Sequence, residues 1–153
     1  TDIHNISTFF GNGEVSEIWL TFPDPQMKKQ RKRLTSATFL DNYRKVLTDN
    51  GLVRLKTDSN FLFTYTGELL AVNKIPVNEV IKDVYSTTDS ERHGLLTSIR
   101  TYYESQWLQR GITIKYIEFR LPHAAVITEI DDSHIPHDEY RSYGRQRRSE
   151  LGI

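Results

Sequence analysis

The chain has 153 residues, of which 37% are hydrophobic and 26% are charged, and its formal net charge is zero. This composition is ordinary for a globular domain, and the length suffices for one domain with a buried core. The absence of cysteine excludes disulfides and thiolate metal sites, and no apolar run approaches the ~18 residues of a membrane-spanning helix. We therefore expect a water-soluble protein, with the cytoplasm as its default location.

The zero net charge conceals an uneven distribution. Two basic clusters occur, and acidic residues between Leu121 and Tyr140 offset them. The first cluster contains Lys28, Lys29, Arg31, Lys32 and Arg33, and the second contains Arg141, Arg145, Arg147 and Arg148. Since electrostatic steering depends on the local field, the neutral total does not exclude a polyanionic partner.

Two strands and one helix are predicted in the first part of the chain. The apolar run EIWLTF, residues 17–22, follows the turn-prone GNGE and is typical of a buried strand. After the first basic cluster, Ser36 can cap a helix that extends to about Asn50, with Gly51 in position to end it. The next strand is LVRLKT, residues 52–57.

Two helices and two strands are predicted in the second part. Helical spacing of apolar residues predicts a helix over 60–73, and VIKDVY, residues 80–85, is the third strand. A further helix, ended by Gly111, has an apolar face formed by Leu96, Ile99, Tyr103 and Trp107. ITIKYIEFRL, residues 112–121, is the fourth strand, and the pattern after it fades into loops.

Strands separated by helices predict an α/β fold with a mostly parallel sheet and right-handed crossovers. Ligands bind to such sheets at the carboxyl ends of the strands. The motifs FPDP and KTD each follow a predicted strand. We therefore expect Asp24 and Asp58 to lie on the same rim of the sheet.

The FPDP turn restricts the backbone around its acid. Pro23 has a fixed φ, and Pro25 disfavours helical dihedral angles for Asp24, so the carboxylate is presented with little freedom. Such rigidity is useful where a reacting group must be placed accurately. A proline-rich turn with a solvated acid is the alternative interpretation of these four residues alone.

The motifs taken together resemble those of a known enzyme family. FPDP follows a strand, Lys28 lies four residues after Asp24, and a basic tract ends in Arg-Leu; LKTD and TYYE then follow in order. In this order and spacing the chain resembles the bacterial tRNA (guanine-N7)-methyltransferases as far as about Leu121. The resemblance implies the second half of a class I methyltransferase (Rossmann-like) sheet, with about four main strands, flanking helices and an antiparallel last strand. Residues 1–121 would form this part of the domain, and 122–153 an extension that packs on it or is partly flexible.

The same resemblance implies roles for individual residues. The cofactor would be S-adenosylmethionine and the partner tRNA, with no metal. Asp24 would be catalytic and near the cofactor, and Asp2 would contact the adenine end of the cofactor. The substrate-binding positions would be Lys28, Asp58, Thr101, Tyr102, Tyr103 and Glu104. The residues Lys29, Arg31, Lys32 and Arg33 would contact RNA phosphates. His134 and His137, with Asp138, indicate a metal site only faintly, because two histidines at this spacing without a convincing third ligand are usually solvated.

The chain departs from the family pattern in three respects. Gln26 stands where the family usually has Trp, and the basic loop is shorter than in the family. The Gly-rich cofactor loop is absent, since GNG at 11–13 opens no helix after a strand. We therefore expect that an N-terminal part is missing, that the chain alone binds the cofactor weakly and is inactive, and that strand 17–22 has an exposed edge that could self-associate.

Three functions agree with these patterns. The first is a tRNA (guanine-N7)-methyltransferase that modifies the variable loop. The second is a non-catalytic RNA-binding module. The third is an amino-group methyltransferase, since FPDP is similar to the Asp/Asn-Pro-Pro-aromatic turn of such enzymes, although the basic loop and TYYE argue against it.

Overall fold

The computed structural model describes residues 2–86 and 90–141. Its helices are α1 (Ile6–Phe9), α2 (Ala37–Val46), α3 (Asn60–Val72), α4 (Ser90–Ser98) and α5 (Tyr102–Gln109). Its strands are β1 (Val15–Thr21), β2 (Leu47–Thr57), β3 (Val77–Ile81) and β4 (Lys115–Leu121). Short 3-10 turns occupy Ile3–Asn5, Gln30–Lys32, Val84–Ser86 and Glu139–Arg141.

The four strands form one mixed sheet in the order β1-β2-β4-β3. β1 and β2 are parallel, and β4 is antiparallel to both β2 and β3. The expected α/β fold with an antiparallel last strand is therefore confirmed, whereas the expectation of a mostly parallel sheet was wrong, since only β1 and β2 pair in parallel. The parallel pairing sets Thr21 opposite Lys56, so β1 and β2 end at one rim.

The sheet is covered on both faces. Alternate residues of β1 point to opposite sides, so Ile18 and Leu20 join a core formed with α2 and α3, whereas Trp19 packs against a second cluster. That second cluster includes Leu96 of α4 and contacts Trp107 of α5. The result is a three-layer arrangement that fixes the rim between two sets of helices.

The predicted boundary between α2 and β2 was wrong. α2 ends at Val46 instead of continuing to about Asn50, and β2 begins at Leu47. Leu47 is fully buried and pairs with Val15, whereas Leu52 pairs with Glu17, so the residues between them form a bulge. Burial of Leu47 in the sheet therefore takes precedence over continuation of the helix.

The helix predicted to include both Leu96 and Trp107 is two helices. Thr101 starts α5 through a capping box, in which its hydroxyl accepts from the Glu104 amide at 3.2 Å. Glu104 points inward and is fully buried, whereas Tyr103 is 66% exposed and not in the core as its spacing predicted. The third strand also differs, since β3 covers 77–81 and Val84 begins a 3-10 turn.

The segment that follows β4 packs across the α2 and α3 layer as far as it is described. Ile135 is buried in the core there, and Asn73 at the end of α3 exchanges two hydrogen bonds with the backbone of Thr128, at 2.9 and 2.7 Å. The extension expected over 122–153 is described only to Arg141. Arg145, Arg147 and Arg148 of the second basic cluster lie outside the described residues.

Neither outer strand of the sheet has a second partner strand within the described residues. β1 pairs only with β2 there, so its second edge is open, and self-association through it stays a prediction. None of the helices described over 2–86 and 90–141 is long and apolar enough to cross a membrane.

We expect Gly51→Ala to destabilise the protein by about 1–3 kcal/mol. A Cβ at Gly51 would lie 2.9 Å from the Thr48 carbonyl oxygen and 2.9 Å from Leu47 Cδ2, so the bulge would have to shift. Urea unfolding measures the change in free energy. Gly67→Ala in α3 is the matched control, because its Cβ would meet nothing within 4 Å, and it should stabilise by up to about 1 kcal/mol.

Candidate active site

A cavity of about 230 Å³ opens at the carboxyl ends of β1 and β2. It is lined by Trp19, Thr21, Phe22, Lys56, Leu95, Leu96, Ile99, Thr101 and Glu104. Its walls are mainly apolar side chains, and a few polar groups converge within it. This combination is typical of a small-molecule or base-binding pocket.

The FPDP turn begins at this cavity. Phe22 and Gln26 flank the turn with positive φ values of 50° and 45°, a conformation that costs non-glycine residues roughly 1–3 kcal/mol each. Pro23 and Pro25 are buried, whereas Asp24 is exposed. The Gln26 amide donates to Asp24 Oδ1 at 2.9 Å. The turn therefore holds the carboxylate outward in a backbone conformation that the surrounding structure must enforce.

A buried ion pair closes the inner side of the cavity. Lys56 Nζ lies 2.7 Å from Glu104 Oε1 and donates to the Leu96 carbonyl at 2.6 Å. The Tyr85 hydroxyl donates to the same Glu104 oxygen at 2.5 Å. Burial, together with this hydrogen bond, raises the pKa of Tyr85, so the phenol keeps its proton and remains a donor.

Asp58 lies on the same rim but is buried and already paired. Its carboxylate accepts from Arg141 Nη2 at 2.6 and 2.7 Å and from the Tyr140 hydroxyl at 2.9 Å. Burial and the charges of Asp58 and Asp138 raise the pKa of Tyr140, which stays protonated. The expected role of Asp58 in substrate binding stays a prediction, and any ligand that uses this carboxylate must displace Arg141.

The basic cluster divides into exposed and buried members. Lys28, Lys29, Arg31 and Lys32 are exposed, as RNA contact requires. Arg33 is only 1% exposed and donates to the carbonyls of the FPDP turn and its neighbour Met27. The expectation that Arg33 faces RNA is therefore corrected, because its guanidinium points into the protein.

The two tyrosines of TYYE lie outside the core. Tyr102 and Tyr103 are 74% and 66% exposed, with ring centroids 6.0 Å apart. Thr101, directly before them, lines the cavity. The contact of these two tyrosines with substrate stays a prediction, although both side chains are accessible to a partner.

Asp2 serves as a local cap in this structure. Its Oδ1 accepts from the His4 amide at 3.0 Å and lies 2.9 Å from His4 Nδ1. The hydrogen bond from the His4 amide, followed by that from the His4 ring, holds the pKa of the exposed Asp2 carboxyl below its usual value. The expected contact between Asp2 and a cofactor adenine stays a prediction.

No group of three His, Cys, Asp or Glu side chains suited to a metal ion occurs among the described residues. His134 Nε2 lies 2.8 Å from Glu68, and Asp138 accepts from the Phe61 amide at 3.0 Å at the start of α3. His137 packs edge-on against Phe61.

Sequence reasoning missed Lys56 and Tyr85. The available signal was the position of Lys56 directly after apolar Leu55, near the end of a strand that is buried on both faces. A lysine in such a position needs a buried acid. That acid, Glu104, comes from a helix 48 residues later in the chain, so only the packing identifies it.

Comparison with known proteins gives the following matches. A family model described as "Putative methyltransferase" matches residues 1–117. The tRNA (guanine-N(7)-)-methyltransferase of Bacteroides thetaiotaomicron is 54% identical over 151 residues, which cover 99% of this chain. The enzyme of the same name from Porphyromonas gingivalis is 53% identical over 150 residues and 98% of this chain.

These matches cover only part of each relative. The chain spans 58% of the Bacteroides thetaiotaomicron protein and 61% of the Porphyromonas gingivalis protein. Among solved structures, the geranyl diphosphate C-methyltransferase of Streptomyces coelicolor A3(2) matches with a TM-score of 0.41 and 12% identity, over 81% of this chain and 52% of that one.

We expect Lys56→Met to reduce the free energy of unfolding by about 3–5 kcal/mol, because it leaves the buried Glu104 carboxylate without its counter-charge. Urea unfolding measures the loss. Adding Glu104→Gln to the same chain should recover part of it, since the charge that lacked a partner is removed. Lys82→Met, at an exposed position, is the control and should change stability by less than about 0.5 kcal/mol. Equal losses at Lys56 and Lys82 would contradict the role of the pair.

Proposed function

Because the chain belongs to the tRNA (guanine-N7)-methyltransferase family, we propose that the intact encoded protein transfers a methyl group from S-adenosylmethionine to N7 of a guanine in the variable loop of tRNA. The whole protein's activity is the subject of this proposal, since the chain spans about 58% of its relatives. The proposed substrate implies a cytoplasmic location.

One observation carries the proposal. A rigid turn presents the exposed Asp24 two residues after Phe22, which lines a cavity that also contains the buried carboxylate of Glu104. An apolar cavity with an acid on the adjoining turn suits a guanine, whose Watson–Crick edge offers N–H donors and whose ring face is apolar. Asp24 would accept from that edge or stabilise charge near it, whereas the Glu104 carboxylate already accepts from Lys56 and Tyr85.

Methyl transfer to guanine N7 does not require a general base. Guanine N7 carries a free lone pair, so attack on a methyl group needs no deprotonation, and the product ring is cationic. Positioning and electrostatics therefore supply most of the rate enhancement. In this proposal Asp24 orients the guanine through its N–H edge and stabilises the positive charge that develops on the ring.

The negative charge of Asp24 at the rim complements the positive charge of S-adenosylmethionine. When bound, this cofactor supplies a methyl group on a cationic sulfonium. Asp24 Oδ1 accepts from Gln26, and within the described part of the chain Oδ2 has no partner, so a carboxylate oxygen remains for a cationic neighbour. Asp24 would thus lie next to both the donor and the guanine, with Asp2 at the adenine end.

The exposed part of the basic cluster is the proposed RNA contact. No salt bridge involves Lys28, Lys29, Arg31 or Lys32 within the described residues, so their charges remain for phosphates. The exposed rings of Tyr102 and Tyr103 could stack on unpaired bases near the cavity. Lysine and arginine contacts to phosphate give affinity, and the cavity gives the choice of base.

We expect Asp24→Asn in the intact encoded protein to lower kcat for methyl transfer to tRNA at least about 100-fold, because the amide cannot stabilise a developing cation. Transfer of labelled methyl groups gives the rate, and mapping of the product identifies the atom. Near-normal turnover would refute the role of Asp24. Methylation of an exocyclic amino group would favour an amino-group methyltransferase, and tRNA binding without turnover by the unaltered protein would favour a non-catalytic module.

We expect Lys28→Gln to weaken tRNA binding and to reduce the slope of log K against log salt by about 1, the value for loss of one phosphate contact. Binding is measured by titration at several salt concentrations. Lys74→Gln is the matched control, since Lys74 follows α3 at the opposite rim of the sheet. Equal slopes for the two variants would argue against a phosphate contact at Lys28.

A further inference from the structure

The backbone of the FPDP turn rests on one buried side chain. Arg33 Nε donates to the carbonyls of Pro25 and Gln26 at 3.1 and 3.2 Å, and Nη2 donates to the Met27 carbonyl at 3.0 Å. Three successive carbonyls thus point at one planar guanidinium. Because its fork is rigid, this group fixes their relative positions better than a lysine could.

The guanidinium of Arg33 is itself held in place. It packs against two aromatic rings of α3, with Cζ 4.7 Å from the Phe61 centroid and 4.5 Å from the Tyr65 centroid. Its Nη1 forms an ion pair with Asp132. The side chain is therefore restrained by rings, carbonyls and a carboxylate together.

The turn requires such support. Its flanking residues, Phe22 and Gln26, both have positive φ values, and a loop with that strain persists only where the surroundings determine it. From the β1 side, the Phe22 amide donates to the Lys56 carbonyl at 2.8 Å. Arg33 supplies the corresponding restraint on the far side of Asp24.

Asp132 lies after residue 117, where the match to the family model ends. Its segment is anchored beside the turn, since the Gln30 side-chain amide donates to the Ile130 carbonyl at 2.7 Å. Glu129 accepts from the Ala37 amide at 3.1 Å and from the Tyr65 hydroxyl at 2.5 Å. The segment after β4 therefore brings a carboxylate to the underside of the turn.

We propose that Arg33 and Asp132 are positioning residues for Asp24: the segment after β4 supplies the counter-charge that lets a buried arginine hold the reactive turn in its strained conformation. The inference rests on the proposed function only in that it takes Asp24 as the group that must be positioned. Neither Arg33 nor Asp132 touches the substrate in this arrangement.

The test compares Asp132→Asn with Asp131→Asn in the intact encoded protein. Asp131 is the matched control, because it is the exposed neighbouring acid and accepts only from Ser133 in the described structure. Asp132→Asn should lower kcat for methyl transfer to tRNA by about 10- to 100-fold while KM for tRNA changes less than about twofold. Asp131→Asn should leave both constants within about twofold of the unaltered protein.

Two further variants keep the test decisive if Asp132→Asn folds poorly. Asp132→Glu retains the charge and should recover most of kcat. Arg33→Lys retains a cation but not the three-carbonyl fork, and should lower kcat as Asp132→Asn does. If these variants only lower Tm, with kcat unchanged at temperatures where they are folded, the residues stabilise the fold without positioning Asp24, and the proposal is overturned.

A second readout does not depend on catalysis. The Gln26 amide donates to Asp24 Oδ1, and the Lys29 amide donates to the Gln26 carbonyl at 2.9 Å, so hydrogen exchange at both amides reports on the turn. Asp132→Asn should accelerate their exchange and leave the exchange of β2 amides unchanged, whereas Asp131→Asn should leave both unchanged.

If the unaltered protein does not methylate tRNA, the proposed function fails, and exchange alone then decides whether Arg33 and Asp132 hold the turn. Unaltered exchange in Asp132→Asn would overturn the proposal.

Discussion

The rim of this protein depends on Lys56, through both its backbone and its side chain. Its carbonyl accepts the amide of Phe22, which fixes the start of the FPDP turn, and its ammonium pairs with Glu104 from α5. The same ammonium bonds to the Leu96 carbonyl at the end of α4. One residue of β2 thus sets the distance between the turn and the helices on the other side of the cavity.

Three ion pairs with at least one buried partner support this rim, and each joins elements that are distant in the sequence. Lys56 pairs with Glu104, Arg33 with Asp132, and Asp58 with Arg141. Such pairs are weak sources of net stability, because desolvation offsets most of their attraction. Their geometry is directional, however, since each charge must meet its partner. We interpret them as determinants of where the turn and the surrounding segments lie.

The pairs also change the meaning of the zero net charge. Asp132 and Asp138, acids that offset the basic clusters in the total, are engaged with Arg33 and with the start of α3. Lys28 and Lys32, in contrast, extend into solvent. The exposed cations of the basic cluster therefore lie in the segment that directly follows the turn.

The sequence by itself determined the α/β fold, the family and the position of the FPDP turn after a buried strand, because local periodicity, proline geometry and motif order are properties of neighbouring residues. Tertiary structure alone decided that Arg33 points inward, that Tyr103 points outward, and that Lys56 has a buried partner. The charged partners of Arg33 and Lys56, Asp132 and Glu104, come from far away in the chain. The same local sequence pattern is compatible with a solvated charge and with a buried one. Whether the charge is buried depends on the distant segments that pack around it and exclude water.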